Sequence, residues 1–392
     1  MRLGVFTSSF PQDQDDYSGV FILQFLQQLP RAVTHITVLT PHKNNSPRNE
    51  SWGRIRIRRF TYWFPASAEK LLLPGGILYN LKYSLLAKVQ LPFFIICAFF
   101  HALRYSKHLD IIHAHWILYG FIGSLISKIR GIPLVITLHG SDVAIMKSSC
   151  IFKFLGTISL KQASKVICVS SYLKKEIQPF IQDTNKVFVF PNGLGVAEKF
   201  MDAEKTTHDA PTLLWIGRFS DEKNVSLLLD IIERVLKKFS SAKLYLVGSG
   251  PQEEFLKKEV MKRSLDSHVI FTGKISPQNT YKYYAQSDVF VLPSHREGFG
   301  VVLIEAMATG VPVVASNVGA IPEIVDNNQT GFLAESNNAK DFAEKILLLL
   351  ENEDLCKSFG NRGKEKVKNN YLWRDVSQNI HRHIYSDIWK AT

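Results

Sequence analysis

Cysteine is scarce in this chain of 392 residues, and its positions argue against two structural devices. Cys97, Cys150, Cys168 and Cys356 are scattered, and none of them forms a CxxC pair. Disulfide frameworks and zinc-binding modules both depend on cysteines at regular spacing. We therefore expect free thiols in a reducing compartment and a fold that is stabilised by its apolar core.

A membrane-spanning segment is a second feature that the sequence lacks. The run most like one, Val89–Leu103, carries no formal charge, but its fifteen residues are fewer than the roughly twenty that cross about 30 Å of hydrocarbon. The apolar run at Met1–Phe6 is too short for a signal peptide. The sequence therefore predicts a cytoplasmic protein without a transmembrane helix.

Motifs for nucleic acid and for metal are missing as well. We find no zinc-finger, helix-turn-helix or RNP-like pattern, so nucleic acid is not expected as a partner. The triplet Asp13-Gln14-Asp15 has the DxD spacing of some metal sites. It lies in a polar loop ahead of a helix, whereas a metal-binding DxD is expected at the end of a buried strand. We therefore predict no metal site.

What the chain has in excess is positive charge, and all of the excess lies in the first half. Residues 1–195 contain 22 lysines and arginines and 9 acids, a net charge of +13. Residues 196–392 contain 25 and 26, a net charge of −1. Such asymmetry predicts an acidic partner for the first half, such as an anionic membrane, nucleic acid or a phosphorylated substrate.

Residues 52–107 carry the most unusual part of this charge. Nine lysines and arginines are accompanied there by a single acid, Glu69, with aromatic and leucine side chains between them. Two interpretations remain open. In one, a core helix follows a β-hairpin whose half-exposed strand alternates Arg54, Arg56 and Arg58 with isoleucines. In the other, the segment is a basic, aromatic surface that binds anionic membrane.

Strands alternate with helices along the chain, and polar residues follow several strands directly. His113 and His115 lie at the end of one apolar run, and His139 and Gly140 follow the next one. This pattern is typical of a doubly wound parallel α/β sheet, in which functional groups collect at the carboxyl ends of the strands. His139 is therefore a candidate functional residue, although a lone histidine is more often structural.

A polar segment divides this pattern into two domains. Residues 196–211 are rich in charged and polar side chains and are predicted to be the linker. The N-terminal domain is then predicted at residues 1–195 and the C-terminal domain at residues 212–371. In the second domain, Arg218 and Lys223 follow a strand and precede a helix. Two cations beside a helix start suit a diphosphate, because arginine binds two oxygens and lysine supplies a point charge.

The densest set of candidate residues lies between Asp288 and Glu323. An apolar strand is followed by a polar loop with Glu297, and a helix carrying Glu305 begins just after Gly298-Phe299-Gly300. Backbone N–H groups at a helix start suit a phosphate or a sugar hydroxyl, and glycine permits close approach. Glu305 has apolar neighbours, where an idle carboxylate is disfavoured. Both carboxylates are expected at one mouth of the sheet; the alternative is a solvated loop residue and a surface position.

This arrangement resembles the donor site of a known enzyme family. Two glutamates with seven residues between them, the inner glycines and the later Gly319-Ala320-Ile321-Pro322-Glu323 resemble the GT-B glycosyltransferases, in particular the retaining family 4. The resemblance covers nearly the whole chain and is strongest from Gly217 to Glu323. It implies an α/β GT-B fold with two Rossmann-like, doubly wound domains that face a central cleft. It also implies that a C-terminal helix at residues 372–392 crosses back to the first domain.

The resemblance also implies a role for each candidate residue. The second domain would bind a nucleotide sugar, and the first would bind the acceptor. The implied catalytic residues are Glu297 and His139, the diphosphate ligands are Arg218 and Lys223, the ribose ligand is Glu305, the backbone ligands of the sugar and phosphate are Gly298, Phe299, Gly300 and Val301, and the acceptor-side residues are Gly19 and His115.

The implied function is that of a retaining hexosyltransferase without a metal or another cofactor. The cations and helix dipoles would neutralise the leaving diphosphate. The donor would be a UDP- or GDP-sugar, and the acceptor a polysaccharide or a lipid-linked molecule at the inner face of the membrane. Two alternatives stay open: a non-catalytic subunit that binds nucleotide sugars, and a sugar-nucleotide epimerase of the same fold.

Overall fold

The chain folds into two compact units, each with its own sheet of mainly parallel strands. Unit 1 consists of Met1–Pro191 together with Trp373–Thr392, and unit 2 consists of Asn192–Leu372. The structure is a computed structural model, and it describes residues 1–13, 16–43, 46–72, 76–206 and 209–391.

Unit 1 alternates strands and helices, as the sequence predicts. Its elements before Pro191 are β1 Arg2–Phe6, α1 Val20–Gln27, β2 His35–Pro41, β3 Asn49–Trp52, β4 Ile55–Phe60, α2 Gly76–Tyr83, α3 Leu85–Tyr105, β5 Ile111–His115, α4 Trp116–Arg130, β6 Leu134–Leu138, α5 Ser141–Ser148, α6 Cys150–Gln162, β7 Lys165–Cys168, α7 Ser171–Ile177 and β8 Val187–Val189.

Unit 2 follows the same alternation. Its elements are α8 Ala197–Met201, β9 Thr212–Arg218, α9 Leu227–Leu236, β10 Lys243–Ser249, α10 Glu253–Lys262, β11 Val269–Gly273, α11 Thr280–Ala285, β12 Val289–Leu292, α12 Val301–Ala308, β13 Val313–Ser316, α13 Ile321–Ile324, β14 Gly331–Ala334, α14 Ala339–Glu351 and α15 Glu353–Asn370.

The strand order of each sheet shows where its ligand site belongs. The order is β3-β4-β2-β1-β5-β6-β7-β8 in unit 1 and β11-β10-β9-β12-β13-β14 in unit 2, and the paired strands are parallel except β3 and β4. The strands of unit 1 build outward from β1 and restart at β5 on its other side. Unit 2 does the same at β9 and β12. Ligands of doubly wound sheets bind at such reversal points, beyond the carboxyl ends of the strands.

The C-terminal residues complete the core of unit 1. Helix α16, Trp373–Ile380, leads through a π-helical turn into α17, Ser386–Ala391. Ile384 and Tyr385 are fully buried in the same apolar cluster as Phe25 of α1. The Tyr385 hydroxyl also lies 2.6 Å from Nδ1 of His113 on β5. The helical spacing of apolar residues in this tail therefore comes from packing against unit 1.

The polar segment at residues 196–211 is part of unit 2. Phe200 of α8 is buried against the rings of Tyr281 and Tyr284, and the Thr206 N–H donates to the carbonyl oxygen of Ala285 at 3.0 Å. The boundary between the units falls at Asn192 instead. The segment was predicted to be a linker because it is polar, and the buried ring of Phe200 was not recognised as a packing residue. Thr207 and His208 of this segment lie outside the described residues.

Residues 52–107 contain both the predicted hairpin and a helix that is longer than predicted. Strands β3 and β4 pair antiparallel, and the isoleucines of β4 are buried between more exposed arginines. Helix α3 has 21 residues, because it begins at Leu85 after a Ser84 cap and includes the charged Lys88 and Arg104. By length and composition alone α3 could cross a membrane, and 28% of its most apolar stretch is buried in the protein. Leu73, Pro74 and Gly75 lie outside the described residues.

We predict that Ile384→Ala destabilises unit 1 by about 2–5 kcal/mol, because it leaves a cavity at a fully buried position. Urea unfolding should show a lower midpoint for the transition of unit 1. The exposed Arg382 in the same turn provides the control, and Arg382→Ala should leave the midpoint within error of wild type. Equal midpoints for wild type and Ile384→Ala would show that the tail is not part of the cooperative core.

Candidate functional site

Two loops at the reversal point of unit 2 are joined by an ion pair. Lys223 Nζ lies 2.6 Å from Oε2 of Glu297. The main chain is tied in the same place, since the His295 N–H donates to the Glu222 carbonyl oxygen at 2.9 Å. Burial acts to lower the pKa of Lys223, but the charge of Glu297 and its hydrogen bond outweigh burial and raise it. Lys223 therefore stays cationic in the folded chain.

A third loop fixes the backbone of Glu297. The Ala320 N–H donates to the Glu297 carbonyl oxygen at 3.0 Å. Gly319 has a φ of +57°, and a Cβ at this position would lie 2.3 Å from that same oxygen. Only glycine can take this conformation at this distance. The Gly-Ala-Ile-Pro-Glu segment singled out by the sequence thus acts as a support for Glu297.

The backbone of the predicted sugar and phosphate loop lies at the start of α12. Gly300 caps this helix with a φ of +103°, and Val301 is its first residue. The N–H groups and the positive dipole end of a helix collect at this point and favour an anion. Phe299 is buried and packs edge-on against Tyr371, with ring centroids 5.9 Å apart. Phe299 can therefore offer a ligand its backbone alone, as can Gly298 beside it.

Arg218 and Lys223 lie in one loop, between β9 and α9. Arg218 is the last residue of β9, and Lys223 ends a 3₁₀ turn that precedes α9 by three residues. Lys223 therefore precedes the helix, as the sequence predicts, with three residues between them. The left-handed Asn224, with a φ of +50°, separates the turn from the helix. Both cations still follow the carboxyl end of β9, which is the reversal point of the sheet.

Glu305 has a partner that the sequence did not reveal. The Tyr284 hydroxyl of α11 donates to Glu305 Oε2 at 2.8 Å and lies 3.2 Å from the Val302 carbonyl oxygen. Burial raises the pKa of Glu305 to about 7, although the hydrogen bond from Tyr284 opposes this rise. Tyr284 lies outside the stretch from Asp288 to Glu323, and the sequence gives no signal of its contact with Glu305. Glu305 is therefore a carboxyl group that titrates near neutral pH.

Three histidines are stacked at the reversal point of unit 1. The ring centroids of His113 and His115 are 4.5 Å apart, and those of His115 and His139 are 5.3 Å apart. His115 Nδ1 lies 3.0 Å from His139 Nε2. Both ring nitrogens of His113 are occupied, by Tyr385 and by Thr137 at 2.6 Å each. His113 is therefore a structural residue of the core, whereas His115 and His139 are linked to each other.

Burial keeps these histidines neutral. It lowers the pKa of His113 and of His139 to about 3 and that of His115 well below its ordinary value, and the neighbouring imidazoles contribute to the last two. His139 Nδ1 has no hydrogen-bond partner within the described structure. A neutral imidazole with one unused nitrogen can bind a hydroxyl group, but it is a weak base at this pKa.

Asp142 holds the loop that carries His139. Its Oδ1 accepts hydrogen bonds from the backbone N–H groups of Gly140 at 2.8 Å and of Val143 at 3.0 Å, and from that of His139 at 3.2 Å. Burial raises the pKa of Asp142 to about 6 despite these hydrogen bonds. Sequence reasoning missed this residue, although an aspartate in the first turn after Gly140 is a recognisable helix-start signal.

Gly19 belongs to the same edge of unit 1. It has a φ of +69°, and a Cβ there would lie 2.2 Å from the carbonyl oxygen of Ser9. Gly19 starts α1, whose Phe21 packs against the ring of His139 with centroids 5.0 Å apart. The structure thus brings together the helix start at Gly19 and the predicted residues His115 and His139.

No three His, Cys, Asp or Glu side chains within the described ranges are arranged to hold a metal ion. Gln14 and Asp15 of the DxD triplet lie outside those ranges.

Comparison with known proteins decides the family. The model of glycosyltransferase family 4 matches residues 18–198, and that of glycosyl transferases group 1 matches residues 196–366. An uncharacterized glycosyltransferase of Methanocaldococcus jannaschii is 32% identical over 284 residues, which are 72% of this chain and 77% of the relative. The chain belongs to the group 1 glycosyltransferases. This glycosyltransferase therefore uses a nucleotide sugar as its donor.

Further similarities agree with this assignment. A capsular polysaccharide biosynthesis glycosyltransferase of Staphylococcus aureus, CapM, is 29% identical over 277 residues, 66% of this chain and 72% of the relative. The sucrose-phosphate synthase structure from Thermosynechococcus elongatus has a TM-score of 0.84 at 21% identity and covers 100% of both chains. Anabaena HepE, solved with UDP and glucose, has a TM-score of 0.77 at 17% identity, covering 98% of this chain and 100% of its own. The predicted GT-B fold is confirmed.

We predict that Glu305 makes the ligand-free glycosyltransferase less stable as the pH rises. Its pKa of about 7 in the folded chain lies above the ordinary value of 4.5, so the folded state holds the proton more tightly than the unfolded state. Stability is then lost between about pH 4.5 and pH 7 and stays constant above that window. Glu305→Gln should remove this loss. The free energy of unfolding of Glu305→Gln minus that of wild type should therefore increase by about 2 kcal/mol from pH 4.5 to pH 8. This value is smaller than the full pKa shift would give, because partial solvent screening is allowed for.

Urea unfolding at several pH values measures this difference. The exposed Glu344 of α14 offers a matched control, because Glu344→Gln also removes a carboxylate from a helix of unit 2. A Glu305→Gln curve that runs parallel to wild type would show that the carboxyl group titrates in the ordinary acid range.

Proposed function

We propose that this glycosyltransferase transfers a hexose from a UDP- or GDP-sugar with retention and without a metal ion. The observation that carries the proposal is the Lys223–Glu297 ion pair at the reversal point of unit 2. It places a cation for the leaving diphosphate next to a carboxylate for the sugar. Arg218 on β9 supplies the second cation, and the start of α12 supplies backbone N–H groups.

The ion pair also suggests how the donor is received. The Lys223 ammonium carries three N–H donors, so an arriving phosphate can bind one of them while Glu297 keeps another. Sharing the ammonium with a phosphate weakens its hold on Glu297. The carboxylate then becomes available to accept a hydrogen bond from a sugar hydroxyl. Positive charge placed in advance at the leaving diphosphate stabilises the transition state.

Glu305 is proposed to bind the ribose of the donor. An ionised carboxylate can accept hydrogen bonds from both ribose hydroxyls, and the Tyr284 hydroxyl at 2.8 Å fixes its orientation. Because burial raises its pKa to about 7, Glu305 takes up its ionised form at the upper end of the neutral range. Ribose binding favours that form, so the donor and the ionisation of Glu305 support each other.

His139 is proposed to bind a hydroxyl group of the sugar or of the acceptor. Its neutral imidazole suits this task, and its contact with His115 Nδ1 at 3.0 Å fixes the ring. In the proposed front-face reaction the acceptor oxygen bonds to the anomeric carbon on the side that the diphosphate leaves. The bond from that carbon to the phosphate oxygen breaks, and this oxygen takes the proton of the acceptor hydroxyl.

The acceptor is proposed to be a polysaccharide or a lipid-linked molecule, and the site of action the cytoplasmic face of a membrane. The net charge of +13 in residues 1–195 favours a phosphate-bearing acceptor or an anionic surface. The similarity to CapM, named for capsular polysaccharide biosynthesis, supports the same class. The similarity to HepE, solved with UDP and glucose, supports UDP as the nucleotide.

A thermal-shift panel with UDP, GDP, ADP and their sugars tests the donor site. We expect one nucleoside diphosphate to raise the melting temperature, and its affinity to fall by about 10- to 100-fold in Arg218→Ala and in Lys223→Gln, because each loses a charged contact to the phosphates. Lys257→Gln on the exposed face of α10 is the matched control and should bind like wild type. The absence of any shift in wild type would contradict the proposed donor site.

Retention is tested on the product once the donor is known. We expect the new glycosidic bond to have the anomeric configuration of the donor sugar, and proton NMR of the isolated product measures it. An inverted anomer would overturn front-face transfer while leaving the donor site intact. Conversion of the nucleotide sugar to an epimer in the absence of an acceptor would instead identify a sugar-nucleotide epimerase.

A further inference from the structure

The outer side of α3 is an uncovered apolar stripe. Its members are three or four residues apart and therefore lie on one side of the helix. Their side chains are between 48% and 77% exposed. We call these residues the α3 stripe: Leu85, Val89, Phe93, Ile96 and Phe100.

The opposite side of α3 is firmly packed. Ala87, Phe94, Ala98 and Ala102 are fully buried. The Phe94 ring contacts those of Tyr62, at a centroid distance of 5.1 Å, and of Tyr119, at 6.0 Å. A helix that crossed a bilayer on its own would lose these contacts. The α3 stripe is thus the outward face of a helix that is anchored in unit 1.

Positive charge surrounds the α3 stripe. Lys82, Lys88 and Arg104 are exposed on α2 and α3. Between residues 46 and 107, the acids of the described structure are Glu50 and Glu69, and each already has a partner within the protein. Glu50 pairs with Arg59 at 2.9 Å, and Glu69 accepts a hydrogen bond from the Tyr62 N–H at 2.8 Å. Among the described residues, Lys88 and Arg104 on α3 form no ion pair with either of these acids.

Not every arginine of the predicted patch takes part. Arg59 is buried, and the Arg54 guanidinium donates to backbone carbonyl oxygens, among them that of Pro30 at 2.9 Å. These two side chains stabilise the fold. The charge that lies next to the stripe belongs to α2 and α3, whereas the exposed Arg56 belongs to the hairpin strand.

The stripe begins at the edge of the sheet where the histidines lie. Phe60, at the carboxyl end of β4, contacts Phe94 and His101, whereas Arg58, nearer the amino end, contacts Tyr105. Helix α3 therefore runs from the carboxyl edge of the sheet toward the amino edge. His115 is the last residue of β5 and therefore lies at the carboxyl edge of the same sheet. Leu85, Val89 and Phe93 are thus on the side of unit 1 from which an acceptor would reach His115 and His139.

We propose that the α3 stripe docks in the interfacial layer of an anionic bilayer, with α3 lying in the membrane plane. A one-sided apolar stripe edged by lysine and arginine has the chemistry of an interfacial helix. Lysine stems reach past apolar residues to place their charge at lipid phosphates. The positive edge favours this occupant over a second copy of the chain, since two copies would bring like charges together. The exposed Phe64 and Tyr83 extend the surface at the same end of α3.

Co-sedimentation of the full chain with lipid vesicles tests this surface. Wild type should bind vesicles of phosphatidylcholine with one-third phosphatidylglycerol at low salt, bind less at high salt, and bind weakly to phosphatidylcholine alone. Phe93→Asp/Ile96→Asp should lower the bound-to-free ratio by at least about tenfold, because two large apolar side chains no longer enter the lipid.

The chain offers a closely matched control on α6. Ile151 and Phe154 are the same two residue types at the same spacing, and they are 67% and 65% exposed. Ile151→Asp/Phe154→Asp should bind vesicles like wild type. Both double variants should keep the wild-type melting temperature and the wild-type shift with nucleoside diphosphate, so that loss of lipid binding is separate from loss of the donor site.

Three results would overturn the proposal. One is wild type that fails to bind anionic vesicles while it still binds a nucleoside diphosphate. The second is an equal loss of binding in both double variants, which would place the contact elsewhere. The third is a wild-type dimer that the Phe93→Asp/Ile96→Asp variant dissociates without any change in vesicle binding, which would identify a second copy as the occupant.

Discussion

The ion pair between Lys223 and Glu297 is the contact on which the architecture of the candidate site in unit 2 depends. It joins the loop after β9 to the loop after β12, the two strands where the order of the sheet reverses. A lysine with 24% and a glutamate with 12% of the side chain exposed are both partly withdrawn from water. Leaving either one alone would cost more than the pair gains, because an unpaired buried charge is strongly unfavourable. The two loops are therefore held in place by the same two groups that are proposed to engage the donor.

The two units differ in the kind of polar group that they place at the reversal point of the sheet. In unit 2 the charges of Lys223 and Glu297 are retained and paired. In unit 1 the polar groups are stacked imidazoles, and burial keeps them uncharged near neutral pH. These arrangements fit the roles proposed for them, since a charged diphosphate is best bound by fixed charge, whereas hydroxyl groups need donors and acceptors without the cost of burying ions.

The sequence pointed to those parts of the candidate site that depend on spacing along one segment. Glu297, Gly300 and Glu305 could be recognised because one loop and one helix carry all three. Tyr284 could not be found in this way, and Asp142 could be recognised only as a helix-start residue. Tyr284 meets Glu305 only through the packing of α11 on α12, and Asp142 acts on backbone N–H groups that any residue could supply. Contacts between distant segments, or to the main chain, leave little trace in the pattern of residue types.

The fold shows the same division between local and distant information. Parallel sheets with both faces covered require continuous apolar strands. The alternation of strands and helices could therefore be predicted from the sequence. The length of α3 was underestimated because Lys88 and Arg104 interrupt its apolar run without ending the helix. The boundary near Asn192 was missed because polar composition suggested a linker, whereas the single ring of Phe200 fixes that segment to unit 2.

The return of the chain to unit 1 has a consequence for the order of folding during synthesis. Ile384 and Tyr385 belong to the core that β1 and α1 begin, so this core stays open until these residues have left the ribosome. Unit 2 is complete in sequence at Leu372, before that point is reached. Domains generally fold as units once their residues are available. The unit that starts the chain is therefore the one that finishes last, and its partly formed sheet must wait in the cell with an uncovered apolar face.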